Sequence, residues 1–213
     1  MGGRVKDLTS TSYAVLGLLA IRPSSSYELA TQVARGLRFT WPRAEGRIYD
    51  EPKLLVAHGY ATAHQEHTGK RPRSVYTITP AGRQALETWL AAPGAALVFE
   101  YEALLKVTFA EHATKTELLA NLETIRGHAA ANLAIGRVMA DDHLTNGPRF
   151  PERVPLNGLM WNFLWSLHGA LHDWAEWALA EVAAWPDDLE ATPGLSARTD
   201  ELFRAALRTT RGR

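Results

Sequence analysis

The 213-residue sequence contains no cysteine. That excludes a disulfide framework, a thiol nucleophile and any metal site built on thiolates. No run of about 18 apolar residues exists, so no segment reads as a membrane span. The opening MGGRVKDLTS lacks the apolar core of a signal peptide, and a reducing cytoplasm is the expected compartment. Net charge is missing as well, since 23 Lys+Arg meet 23 Asp+Glu. Enzyme signatures are equally scarce. There is no Gly-rich phosphate loop and no GxSxG elbow, and the carboxylates of the second half scatter along polar faces. Ser166 and His168 are too close in sequence to share a helix face. No catalytic constellation emerges, and no cofactor is expected.

The neutral total conceals an asymmetry. Residues 1–92 carry 12 basic and 7 acidic side chains, and residues 93–213 carry 11 and 16. A basic first half suits a polyanionic partner. With 46% hydrophobic residues the chain has enough apolar material for a real core.

Three helices open the first half. TSTSYAVLGLLAI offers capping hydroxyls, then an apolar face of Val15, Leu16 and Leu19, and ends at Arg22-Pro23. In SSSYELATQVARGL, Ser25 and Glu28 have capping-box spacing, with Tyr27, Ala30, Val33 or Ala34, and Leu37 as the expected buried stripe. The third segment, PRAEGRIYDEPKLLVAHGY, places Ile48, Pro52 and Leu55 on one face. The same wheel turns Arg43, Gly46, Asp50 and Lys53 outward, with Arg47 and Tyr49 flanking them. Pro52 predicts either a kink or a restart of the helix. Two strand-like runs, ATAHQEHT and SVYTIT, flank an expected turn, TGKRPR, that holds Lys70, Arg71 and Arg73. Thr79-Pro80 then starts a fourth helix, with Ala85, Leu86, Trp89 and Leu90 expected inward. Three helices followed by a two-stranded wing predict a winged helix-turn-helix, whose third helix enters a major groove.

The pieces AVLGLLA, SYEL, GRIY, KLLVAHGY and RPRSVYTITPAGRQAL, spread over residues 12–92, resemble the N-terminal domain of PadR-type transcriptional regulators. Two departures stand out. The family usually has His-Gly before the Tyr-Glu pair, where Ser25 and Ser26 stand here; it often has proline after the recognition-helix tyrosine, where Asp50 stands and Pro52 follows two later. The resemblance implies a homodimeric regulator, expected to be a repressor, that binds a palindromic operator in double-stranded DNA and responds to a small aromatic effector. On this reading Arg43, Gly46, Arg47, Tyr49 and Lys53 serve the major groove. Lys70, Arg71 and Arg73 hold the flanking backbone or minor groove.

The second half is helical in pattern. EYEALLKVTFA is a short helix, and Thr114 with Glu117 repeats the capping-box spacing. Leu118, Leu122, Ile125, Ala129, Asn132, Gly136 and Met139 then form a helix-packing seam. Residues 141–157 read as a loop. The following 29 residues, from Asn157 to Trp185, carry two apolar stripes. Met160, Leu164, Leu167, Leu171, Trp174, Ala178 and Val182 make one; Trp161, Trp165, His168 and His172 make the other. Two stripes imply burial on two sides, one against the chain's own helices and one against a second subunit or a ligand. The tryptophan stripe is a candidate wall for a planar effector, although filling a helix interface is the preferred reading. His168 and His172 have the spacing of a metal pair, but Gly169 stands where HExxH has glutamate, and no metal is expected.

The expected organisation is a DNA-binding domain at 1–92, a helical dimerisation and effector domain at 93–190, and a short helix with a basic, mobile tail at 191–213. Two other classes stay open: a winged-helix protein-interaction module, and an aromatic-ligand-binding protein without a DNA function.

Overall fold

Thr9 starts α1 (Ser10–Ile21) by a reciprocal cap. The Ser12 N–H donates to the Thr9 hydroxyl, and the Thr9 N–H donates to that of Ser12. The computed structural model describes residues 8–68, 71–148, 150–189 and 196–209. It divides into two compact units, Met1–Leu97 and Val98–Arg213.

In the first unit the order is α1, β1 (Ser24–Ser25), α2 (Ser26–Arg35), α3 (Glu51–Ala57), β2 (Ala61–Thr68), β3 (Arg71–Ile78) and α4 (Pro80–Ala91). The Ser25–Glu28 capping box forms as the spacing predicts. The buried stripe of α2 differs from expectation. Leu29 and Val33 are buried, whereas Tyr27 is 76% exposed. A ten-residue helix has too few turns to fix the phase of its apolar face from sequence. Val15, Leu16, Leu19, Leu29, Val33, Ile48, Leu55, Tyr76 and Ile78 form one core.

Pro52 marks a restart. Pro42–Arg47 form a 3-10 helix, residues 48–50 turn, and α3 then begins with Pro52 in its first turn, where proline's missing N–H has no partner to lose. Ile48, Pro52 and Leu55 are all buried despite the break.

The wing is the β2–β3 hairpin, and β1 adds a short third strand, giving the order β1-β3-β2. The ladder runs from Ala61 opposite Ile78 to Thr68 opposite Arg71. Arg71, Pro72 and Arg73 therefore belong to a strand, not to the turn expected for TGKRPR. Among the described residues β1 pairs with β3 only at Tyr76 and Val75, so Pro72 lies where β3 has an open edge, a position that tolerates proline.

Thr79 caps α4, accepting from the Gly82 N–H. A Cβ on Gly82 would collide with the Tyr60 carbonyl and lie 2.9 Å from Ile78 Cγ1, so only glycine lets α4 approach this closely. Trp89 stacks on Tyr13 at 4.9 Å. Leu90, expected inward, is exposed.

The second unit comprises α5 (Glu102–Thr108), α6 (Lys115–Asn146), α7 (Val154–Ala183) and α8 (Ser196–Thr209). The expected loop at 141–157 is shorter than the sequence suggests, because α6 continues to Asn146 and Pro155 falls in the first turn of α7. Lys115 at the start of α6 donates to the carbonyls of Ala183, the last residue of α7, and Trp185 just beyond it, so the two helices run antiparallel. Leu118, Leu122, Ile125, Ala175, Ala178 and Val182 fill the end nearest α5. At the opposite end Val138, Leu144, Leu156, Leu159 and Phe163 are exposed. The basic end of the tail, residues 210–213, lies outside the described residues.

Candidate nucleic-acid interface

Three segments of the first unit carry the side chains singled out from sequence. The 3-10 segment holds Arg43, Gly46 and Arg47. Gly46 is exposed, and a Cβ there would meet nothing within 4 Å, so the fold itself does not demand glycine. The turn after it exposes Tyr49. Lys53, in α3, also faces outward and lies 3.2 Å from the Asp50 carboxylate. Burial of Ile48, Pro52 and Leu55 holds this whole segment with one face in and the other out.

Arg47 is held from within the same segment. Its Nε lies 3.7 Å from Glu51 Oε2, and the Arg47 side chain remains 53% exposed while that of Glu51 is buried. Glu51 escaped the sequence reading. An acidic residue in a helix's first turn is a common signal, but nothing local shows that it will be buried.

In the wing, Arg71 begins β3 and Lys70 lies outside the described residues. Arg73 is already engaged. Its Nη2 donates to Glu66 Oε2 across the ladder at 2.9 Å, and its Nη1 lies 3.6 Å from Glu28 Oε1 at the start of α2. Glu28 is held below its usual carboxylate range, chiefly by the Ser25 N–H, then by the Ser25 hydroxyl, with Arg73 adding to the effect. Glu66 is lowered too, by His64 and then by Arg73. Arg73 thus ties the wing to α2.

Residues 15–88, which contain all of these segments, match the transcriptional regulator PadR-like family. Over those residues the chain is similar to that family. Among PadR-like proteins, the negative transcriptional regulator PadR of Bacillus subtilis is 34% identical over 79 residues, which is 37% of this chain and 43% of that protein. A probable transcriptional regulator of Mycobacterium tuberculosis is 31% identical over 83 residues, 38% of this chain and 43% of that one. The chain therefore spans less than half the length of the curated relatives it matches. Among solved structures, Bacillus subtilis PadR in complex with operator DNA has a TM-score of 0.71 at 22% identity, over 82% of this chain and 99% of that one. The same regulator in complex with p-coumaric acid has a TM-score of 0.65 at 23% identity, over 84% and 99%. At such identity these likenesses establish the fold: the PadR-like winged helix with a helical C-terminal region.

In the second unit the tryptophan stripe faces the chain's own α6. Trp161 and Trp165 stack at 5.1 Å, and a Cβ on Gly136 would lie 3.2 Å from the Trp165 ring. Arg137 sits 5.7 Å from that ring's centre. Burial lowers the pKa of His168, and its Nδ1 is buried with no hydrogen-bond partner. The structure does not pair it with His172. His172 instead lies 3.6 Å from Asp173 and 3.8 Å from Glu176, and the three offer ligand atoms within 4.8 Å of one another. Glu176 already has a cation, Arg126 Nη1, at 3.9 Å, so the group reads as an exposed ion-pair network.

Proposed function

We propose that this chain is a homodimeric, cytoplasmic repressor that binds a palindromic operator in double-stranded DNA and is released by a small aromatic effector. The observation that carries this reading is the outward face of residues 46–53. Arg47, Tyr49 and Lys53 project from a segment anchored by Ile48, Pro52 and Leu55. Arginine in a major groove pairs with guanine, and tyrosine and lysine hold phosphate. To the same DNA we assign Arg43 and the backbone at Gly46, with Lys70 and Arg71 assigned to its flank. Bacillus subtilis PadR, described with operator DNA and with p-coumaric acid, supports both partners.

The exposed end of the α6–α7 pair supports self-association. Leu159, for instance, is 71% exposed on a long helix, amid other large apolar side chains. Large apolar side chains exposed together on paired helices are a feature of interfaces. A second copy brings two reading faces to half-sites about one helical turn apart. Trp161, Trp165, His168 and His172 stand as the wall an aromatic effector would meet. No described helix is long and apolar enough to cross a membrane.

Selection of bound fragments from genomic DNA with the purified protein, repeated at raised salt, tests the reading. A palindromic consensus is expected, and Arg47→Ala should relax the preference at one position of each half-site. No enrichment would overturn the proposal.

A further inference from the structure

We infer that Glu51 is a positioning residue for base recognition, fixing the side chain of Arg47 through a relay that begins at the N-terminus of α1. This rests on the DNA-binding reading above. Glu51 is only 3% exposed. One carboxylate oxygen accepts a hydrogen bond from the Ser12 hydroxyl, and Ser12 is itself buried and locked into its cap with Thr9. The other oxygen, Oε2, has no hydrogen-bond partner. Arg47 Nε, at 3.7 Å, is the cation that faces it.

A buried carboxylate is costly unless a positive charge compensates it. The compensation runs both ways. Because Glu51 is fixed by Ser12, the guanidinium edge bearing Nε is drawn to a fixed point. Arginine offers its five donors in a rigid plane, so holding one edge directs the other. Arg47 remains half exposed, and its terminal nitrogens can meet an acceptor pair such as O6 and N7 of guanine. An arginine so held loses little side-chain freedom on binding, and it is disfavoured from swinging to the nearest phosphate. The relay therefore favours base choice over unspecific attraction.

The variant that tests this is Glu51→Gln, which keeps an acceptor for Ser12 and removes the charge facing Arg47. Three readouts apply. In the DNA-free protein, the Arg47 Nε–Hε NMR resonance should be distinct and protected in the wild type and become averaged in Glu51→Gln. The ratio of affinity for the selected fragment to that for a scrambled duplex should fall several-fold. In an Arg47→Ala background, Glu51→Gln should leave that ratio unchanged, because the residue it acts through is gone. A purely structural role would lower the ratio alike in both backgrounds, or lower stability alone. Either result overturns the inference, as does an Arg47 resonance indifferent to Glu51. Absence of any fragment selected by the wild type overturns the functional reading instead, and the role in base choice with it. An unchanged resonance with selection intact overturns this inference alone.

Discussion

Replacing Arg71 and Arg73 separately by alanine distinguishes a phosphate contact from a brace. Each phosphate that a protein neutralises adds about 0.9 to the slope of log affinity against log salt. A fourfold rise in salt therefore costs roughly 3.5-fold in affinity per contact. Arg73 lies within 4 Å of two carboxylates, 2.9 Å from Glu66 and 3.6 Å from Glu28. One guanidinium against two carboxylates leaves the group negative. Both acids compete with a phosphate for Arg73 and stand beside any DNA that it would meet. Arg73→Ala should accordingly change the slope by less than about half of one contact, and Arg71→Ala by about one contact per domain. Because the Arg73 pairs are partly exposed, their loss should cost little stability. The assay is fluorescence anisotropy of a labelled operator fragment, titrated at several salt concentrations from about 50 to about 200 mM. An Arg73→Ala slope reduced as far as that of Arg71→Ala would refute the brace. An Arg71→Ala slope equal to the wild type would remove the wing from the mechanism.

Two other outcomes follow from the same unit. Gly82→Ala places a methyl group against the Tyr60 carbonyl and Ile78, which should cost about 2–3 kcal/mol and lower the melting temperature of this unit by roughly 10–20 °C; a melt within about 3 °C of wild type would show that α4 has room to move. Glu28, held below its ordinary value of 4.5, contributes stability that is fully present above 4.5 and is lost as the pH falls through its folded value. The melting-temperature gap between wild type and Glu28→Gln should therefore close on acidification, and a gap constant from neutral pH to about pH 3 would contradict the assignment.

Features decided over three or four residues were legible in the sequence. The Ser25–Glu28 and Thr114–Glu117 boxes need only serine or threonine and glutamate at the right spacing, and both form. The same holds for Thr79-Pro80 at the start of α4. Features that depend on a distant partner were not legible. Glu51 is buried because Ser12, 39 residues earlier, meets it. Arg73 reads as a turn residue until its strand is seen paired with Glu66. The two stripes of α7 were both visible, but only the antiparallel neighbour shows that Trp165 meets Gly136. Tyr27 illustrates a third kind of failure. Amphipathic tyrosine fits either side of a short helix, and here Leu29 and Val33 take the inner side.

The free edge of β3 has a consequence beyond DNA. From Ser74 back to Arg71 the strand has no neighbour among the described residues on the side away from β2, and such an edge is a template on which another chain can add a strand. Pro72 withdraws one backbone donor from the segment, and the arginines on either side of it place like charges along any identical strand that would align there. The Arg-Pro-Arg sequence of this edge is thereby a guard against edge-to-edge aggregation. Exchanging that tripeptide for an uncharged β-former would jeopardise solubility as well as operator binding.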